Sequence, residues 1–346
     1  MRAVHVNASK PYEVLIGQGL LQEAGNLLKS VCQSDRVVII TDDVVDDIYG
    51  KNLQKSLETD DFSVLKFVIS QGESTKNFLN LESLLNFLAE NYVKRNDTII
   101  ALGGGVVGDL AGFAAAIYLR GIDVVQIPTT LLAMVDSAIG GKTGIDLPTG
   151  KNMAGAFYQP KMVIADTETL KTLPPQHFAA GMGEVIKYGI IGKNDILDRI
   201  KQCDIEEQIA ECVRLKCCAI GQDERDETGV REILNAGHTV AHAVEKLSEY
   251  TIPHGKAVAM GLVAEAKMAV ELGLAEPAVY DRILAAVKSC DLYEKIPYSP
   301  KKMAEAMRAD KKNRGEEITF VLPQRIGECV RKTLTVQQVI QLLKKQ

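Results

Sequence analysis

Several things are scarce or missing in this sequence, and each removes a class of function. Tryptophan is absent, no low-complexity tract or internal repeat occurs, and 46% of the 346 residues are hydrophobic against 25% charged. That composition excludes disordered, fibrous and membrane chains and fits a globular protein of two domains, at ~100 to 200 residues each. Positive charge is not in surplus: 40 Lys and Arg stand against 45 Asp and Glu, a net charge of −5. No whole-molecule field draws nucleic acid or an anionic membrane, so any anion must be caught by a local cluster. Long apolar runs are missing too. Asp109, Arg120 and Asp123 cut the most apolar region, Asp97 to Asp136, into pieces far shorter than the ~20 residues of a spanning helix. The first residues, Met1 to Val14, show no secretory signal. Seven cysteines, an odd number with no CxxC pair, predict free thiols in a reducing compartment and a cytoplasmic location.

What is present falls into two halves. Up to about residue 170, β-branched runs at Val37–Ile40, Val64–Ile69, Thr98–Leu102, Val124–Ile127 and Met162–Ala165 alternate with helical spacing such as Leu79, Leu81, Leu84, Leu85 and Leu88. This pattern predicts a mainly parallel sheet covered by helices, which binds ligands at the carboxyl ends of its strands. After Pro174-Pro175 the reading is helical over Ile205–Gly221, Glu232–Ser248 and Val258–Leu272, with a hairpin of Glu317–Leu322 and Glu328–Leu334 before a closing helix. The expected architecture is an α/β Rossmann-like nucleotide-binding domain, residues 1–173, followed by a mostly α-helical metal-binding domain, residues 174–346. A cleft between the halves is the expected site.

The strand Thr98–Leu102 runs into Gly103-Gly104-Gly105-Val106-Val107-Gly108-Asp109 and then an apolar helix. This is G-x-G-x-x-G between strand and helix, where small residues let backbone approach a pyrophosphate at the helix amino end. A tight turn needing glycine for packing explains the motif alone about equally well. Asp42 at the end of a strand, Glu73 and Lys76 after another, and Thr129-Thr130 after a third add polar groups at sheet ends, although helix capping is the commoner role for Asp and Thr.

Only five histidines occur, and His238, His242 and His254 lie close together in sequence. A spacing of four puts His238 and His242 on one helix face, as a divalent metal requires. Spacing alone leaves open whether both are ligands; His254 and Glu184, a carboxylate in an apolar helical stretch, are candidates for the third position. Lys142 and Lys151 stand in glycine-framed turns and Lys187 lies in an apolar helix. With Arg120 after the glycine-loop helix, they suggest a pocket for a small, multiply anionic substrate.

Jointly, GGGVVGDLAGFAAAIYLRG, QIPTTLLAMVDSAIGGKTGID, GKNMAGAFYQP, LKTLP, GEVIKYG, LNAGHTVAHAVE and HGKAVAMG resemble the 3-dehydroquinate synthase family of sugar-phosphate cyclases, from about Gly72 to Gly327. The resemblance implies a homodimeric lyase of the shikimate pathway using NAD and zinc, with cobalt as a substitute. Its substrate would be a small anionic sugar phosphate, 3-deoxy-D-arabino-heptulosonate 7-phosphate. It implies Glu184, His238 and His254 as metal ligands, with His242 contacting phosphate or relaying protons. NAD would be held by Asp42, Glu73, Lys76, Gly105, Val106, Gly108, Asp109, Thr129, Thr130, Lys142, Lys151 and Thr172. Substrate contacts would be Arg120, Asp136, Lys142, Asn152, Lys187, Lys216, Arg231 and Asn235, with one of Lys311 and Lys312. The alternatives are an inosose- or valiolone-forming cyclase, a metal-dependent alcohol dehydrogenase, and, from a different class, a non-catalytic NAD-binding scaffold.

Overall fold

The computed structural model describes residues 1–192, 195–202, 204–309 and 317–345. They divide into two compact units, the first Met1–Leu173 with Ile209–Arg225 and the second Pro174–Gln208 with Asp226–Gln346.

In the first unit the strands are β1 (Arg2–Val6), β2 (Tyr12–Gly17), β3 (Arg36–Asp42), β4 (Ser63–Ile69), β5 (Thr98–Gly103), β6 (Asp123–Pro128), β7 (Lys142–Leu147), β8 (Gly150–Phe157) and β9 (Met162–Asp166). Seven of them form one sheet in the order β1-β2-β9-β6-β5-β3-β4, parallel except for β1 against β2. The helices are α1 (Ala24–Leu28), α2 (Asp43–Val45), α3 (Lys51–Thr59), α4 (Phe78–Glu90) and α5 (Gly105–Ile117).

The continuous β-branched runs have a direct cause: both faces of the sheet are covered. Val37, Ile39, Ile100 and Leu102 pack with Leu53 and Leu57 of α3 on one face. Val38, Ile40, Ile99 and Ala101 pack with Leu84 of α4 and Leu110 of α5 on the other. Side chains alternate along a strand, so a strand buried twice must be apolar throughout, each such residue contributing roughly 1.5–3 kcal/mol by burial. The chain leaves β3 toward β4 at one edge and then returns through β5 toward β6 and β9 on the other side. The strand order therefore reverses between β3 and β5, the position where such sheets open a ligand crevice at their carboxyl ends. Asp42 and the glycine loop stand on either side of it.

The second unit holds α6 (Pro175–Ile191), the start of α7 (Ile205–Gln222), α8 (His238–Leu247), α9 (His254–Glu271), α10 (Pro277–Ser289), α11 (Pro300–Arg308), the antiparallel pair β10 (Glu317–Arg325) and β11 (Glu328–Thr335), and α12 (Val336–Leu343). Helices α6, α8 and α10 all pack on α9.

Three expectations are corrected. The segment Glu232–Ser248 is not one helix: a 3-10 turn at Val230–Asn235 is followed by α8, broken where Gly237 takes φ 79°, the left-handed region that favours glycine. The helix expected over Val258–Leu272 starts four residues earlier, with His254 as its first residue. The glycine-framed lysines belong to a hairpin, β7 against β8, rather than to isolated turns.

Among the described residues, no helix is long and apolar enough to cross a membrane.

Candidate active site

Three side chains of the second unit converge. Glu184 Oε1 lies 3.5 Å from His238 Nε2 and 3.2 Å from His254 Nε2. All three ligand atoms fall within 4.8 Å of one another. Two donors each about 2.1 Å from a tetrahedral zinc ion stand about 3.4 Å apart, so the spacing suits such an ion. Glu184 is fully buried, its Oε1 facing the two imidazole nitrogens and its Oε2 facing the Lys187 ammonium. A buried carboxylate oxygen and two imidazole nitrogens converging at this spacing form the donor set that a divalent cation takes. The residues present fit a divalent metal.

Backbone packing makes this convergence. A Cβ on Gly255 would fall 1.7 Å from the Ala180 carbonyl oxygen, one on Gly183 2.2 Å from the Gly255 oxygen, and one on Gly261 1.9 Å from the Gly237 oxygen. Helices α6 and α9, and α9 and the turn before α8, touch through bare backbone. Each of the three converging residues sits beside a glycine of close approach: Gly183-Glu184, Gly237-His238, His254-Gly255.

Electrostatics reinforces the cluster. Burial opposes charge on Glu184, but Lys187, 2.5 Å away, and His238 overcome it and hold the carboxyl well below its ordinary range. Burial lowers His238 more than Glu184 raises it. Burial also works against protonation of His254, yet bonds to Glu184 and Glu245 take it up to about 10. Negative charge that draws a proton to this spot suits it equally to a metal cation. His242, partly buried, stands edge-on to His238 with ring centroids 5.6 Å apart and is outside the three-donor group.

A second cluster lies in the first unit. The Lys76 ammonium donates to Asp109 at 2.9 Å and to the Asn152 side-chain oxygen at 2.6 Å, with Glu73 at 3.4 Å and Asp146 at 3.8 Å. Lys151 stands 3.8 Å from Glu73. Desolvation pulls Lys76 down, but Asp109 and Glu73 raise it above its usual value. Burial pushes Asp109 up to about 6 against the pull of Lys76. Helix α5 begins at Gly104-Gly105 with no side chain capping it, which leaves its first N–H groups for an anion. A Cβ on Gly105 would meet Ser137 at 3.0 Å and one on Gly108 the Gln126 oxygen at 2.8 Å, so the glycines also serve packing. Asp42 caps α2 through the N–H groups of Val44 and Val45. Thr129 donates its N–H to Gly103, and Thr172 is hydrogen-bonded to the Tyr49 hydroxyl.

The sequence matches the 3-dehydroquinate synthase N-terminal family over residues 66–180 and its C-terminal family over residues 181–313. It is 40% identical to the 3-dehydroquinate synthase of Alkaliphilus metalliredigens over 99% of this chain and 98% of that protein. The chain belongs to the 3-dehydroquinate synthase family. To the enzyme of that name from Methylacidiphilum infernorum it is 43% identical, over 97% and 95% of the two chains. The crystal structure of 2-epi-5-epi-valiolone synthase from Streptomyces hygroscopicus subsp. jinggangensis 5008, with NAD+ and Zn2+ bound, is 26% identical and superposes with a TM-score of 0.88 over 100% of this chain and 99% of that one.

Against what membership of the 3-dehydroquinate synthase family leads one to expect, the other residues fall as follows. Lys216 reaches Asp136, donating to its carbonyl at 2.7 Å and its carboxylate at 2.8 Å. Arg231 is buried in the 3-10 turn that Asn235 ends, and Lys142 starts β7 as an exposed residue. Arg120 ends the turn that follows α5, with φ 66°. Lys311 and Lys312 lie outside the described residues.

Two buried carboxylates escaped the sequence reading. Glu245 meets His254 Nδ1 at 3.2 Å. Glu265 accepts the N–H groups of Gly237 at 2.7 Å and Val240 at 3.3 Å, clamping the turn that presents His238, while burial pushes it up to about 8. Their signal was present: charged residues among the apolar positions of HTVAHAVE and GLVAEAKM.

Proposed function

We propose that this enzyme is a phosphate-eliminating lyase, a 3-dehydroquinate synthase of the shikimate pathway, which converts 3-deoxy-D-arabino-heptulosonate 7-phosphate to 3-dehydroquinate and inorganic phosphate. The reaction runs through transient oxidation by NAD, phosphate elimination, reduction, ring opening and intramolecular aldol closure. The observation that carries this reading is identity of 40–43% to several enzymes of that name across nearly the whole chain, joined to the carboxylate and two imidazoles at metal-binding distance.

When bound, zinc, or cobalt in its place, would supply a Lewis acid toward a substrate hydroxyl, and NAD a reversible acceptor of hydride. Glu184, His238 and His254 hold the metal. The uncapped start of α5 and the Lys76 group hold the dinucleotide, with Asp42 toward a ribose. Lys142, Asn152, Lys187, Lys216, Arg231 and Asn235 grip the carboxylate, phosphate and hydroxyls of the substrate. His242 contacts phosphate or relays a proton, and Asp136 and Arg120 complete the set. Their work is positioning and charge stabilisation of a polyanion that changes shape several times. The chain acts as a homodimer in the cytoplasm, which sedimentation at twice the chain mass would support.

The test follows NAD and phosphate together. Incubated with zinc, NAD and the heptulosonate phosphate, the enzyme releases stoichiometric phosphate with no net NADH. NADH accumulation without phosphate would instead mark an alcohol dehydrogenase, and neither signal a non-catalytic scaffold.

A further inference from the structure

The two imidazoles of the metal cluster differ in what faces their second nitrogen. For His238 it is the Ala236 carbonyl oxygen, 3.1 Å from Nδ1. For His254 it is a carboxylate, Glu245 Oε2, 3.2 Å from Nδ1. Glu245 is 5% exposed and lies seven residues after His238 on α8, two helical turns on and hence on the same face. Burying a carboxylate in a packed helix is costly unless a partner uses its charge.

We infer that Glu245 is a positioning residue for the metal centre. Its carboxylate accepts the Nδ1 proton of His254, which fixes the tautomer whose Nε2 lone pair faces Glu184. The added negative charge makes that nitrogen a stronger donor than a carbonyl partner makes His238. His254 is the first residue of α9 and its side chain is 33% exposed, against 12% for His238, so it needs an anchor more. The inference rests on the metal reading above and goes beyond it in assigning an outer carboxylate to one ligand.

The experiment measures zinc affinity by competition with a chromogenic chelator, using the full chain as wild type, Glu245→Gln, Glu245→Ala and His254→Ala. Glu245→Ala weakens zinc roughly 10–100-fold and Glu245→Gln, isosteric but uncharged, by a smaller factor. The visible bands of the cobalt-loaded Glu245→Gln protein shift while its far-ultraviolet circular dichroism stays that of wild type, a response that loss of packing alone does not produce. Wild-type affinity and an unshifted cobalt spectrum in Glu245→Gln overturn the inference, even if Glu245→Ala fails to fold. Should His254→Ala lose zinc while Glu245→Gln keeps it fully, the metal reading stands and only this inference falls. A wild-type chain that binds no zinc removes both.

Discussion

Lys216 and Asp136, far apart in sequence, are joined twice: the buried ammonium donates to both the backbone carbonyl and the carboxylate of the aspartate. Through this contact, and through Glu224 with Ser9 and Gln159, the segment Ile209–Arg225 groups with the first unit although it follows the proline pair in sequence. A lysine this deeply buried is held in place by two acceptors. Lys216→Met should cost about 2 kcal/mol of stability, because it strips a partly buried carboxylate of its partner. Asp136→Asn, which keeps the carbonyl bond, should cost less. Urea titrations of the two variants check the order, and the reverse order contradicts the account.

The metal centre depends on backbone contact between helices, so a single methyl group should disrupt it. Gly255→Ala places a Cβ 1.7 Å from a carbonyl oxygen. Helices α6 and α9 must separate, at a cost of about 3 kcal/mol or more, and Glu184 moves away from His254. Gly221→Ala is the control, since its Cβ would sit 3.6 Å from the Asn7 oxygen in ordinary contact. Zinc content by atomic absorption should fall in the first variant and hold in the second.

Removing a ligand should empty the site. Glu184→Gln loses the charge that balances Lys187 and both imidazoles, and the purified protein should lack stoichiometric zinc and release no phosphate. Chelator treatment of the wild type should abolish phosphate release, with recovery on adding zinc or cobalt. Full activity after exhaustive metal removal contradicts the proposed function.

Stability should carry a pH signature from Asp109. Burial raises its folded value from about 3.8 to about 6. The folded chain then binds this proton more tightly than the unfolded chain does, so the group's contribution is present below about 4 and is lost as pH rises through 6. Unfolding free energy should fall by about 1 kcal/mol per pH unit across that window relative to Asp109→Asn, in which the slope is missing. Parallel slopes for the two proteins between pH 4 and 7 would refute it.

The parallel strands were legible because burial on both faces leaves an uninterrupted β-branched run, as in Val37–Ile40. The hairpin β7–β8 was not, since Lys142, Gly144, Gly150 and Lys151 show no alternation of apolar and polar residues, and the bonds that Thr143 and Asp146 make across the pair are visible only once it has formed. The break before α8 was missed for a related reason. A glycine in a helical pattern reads as tolerated until the Leu262 side chain and the backbone of Gly261 are seen to press on Gly237. Paired imidazoles at a spacing of four suggested two ligands on one helix, whereas the three-donor group joins His238 to Glu184 in the middle of α6 and to His254 at the start of α9.

Residue chemistry and local periodicity, which depend only on near neighbours along the chain, determined the strands, the glycine loop and the stock of carboxylates, imidazoles and lysines. Which of these meet was decided in three dimensions. Donor atoms must come within a few ångströms of one another, and that distance is set by how closely α6, α8 and α9 approach through their glycines, a contact between segments that no linear pattern encodes.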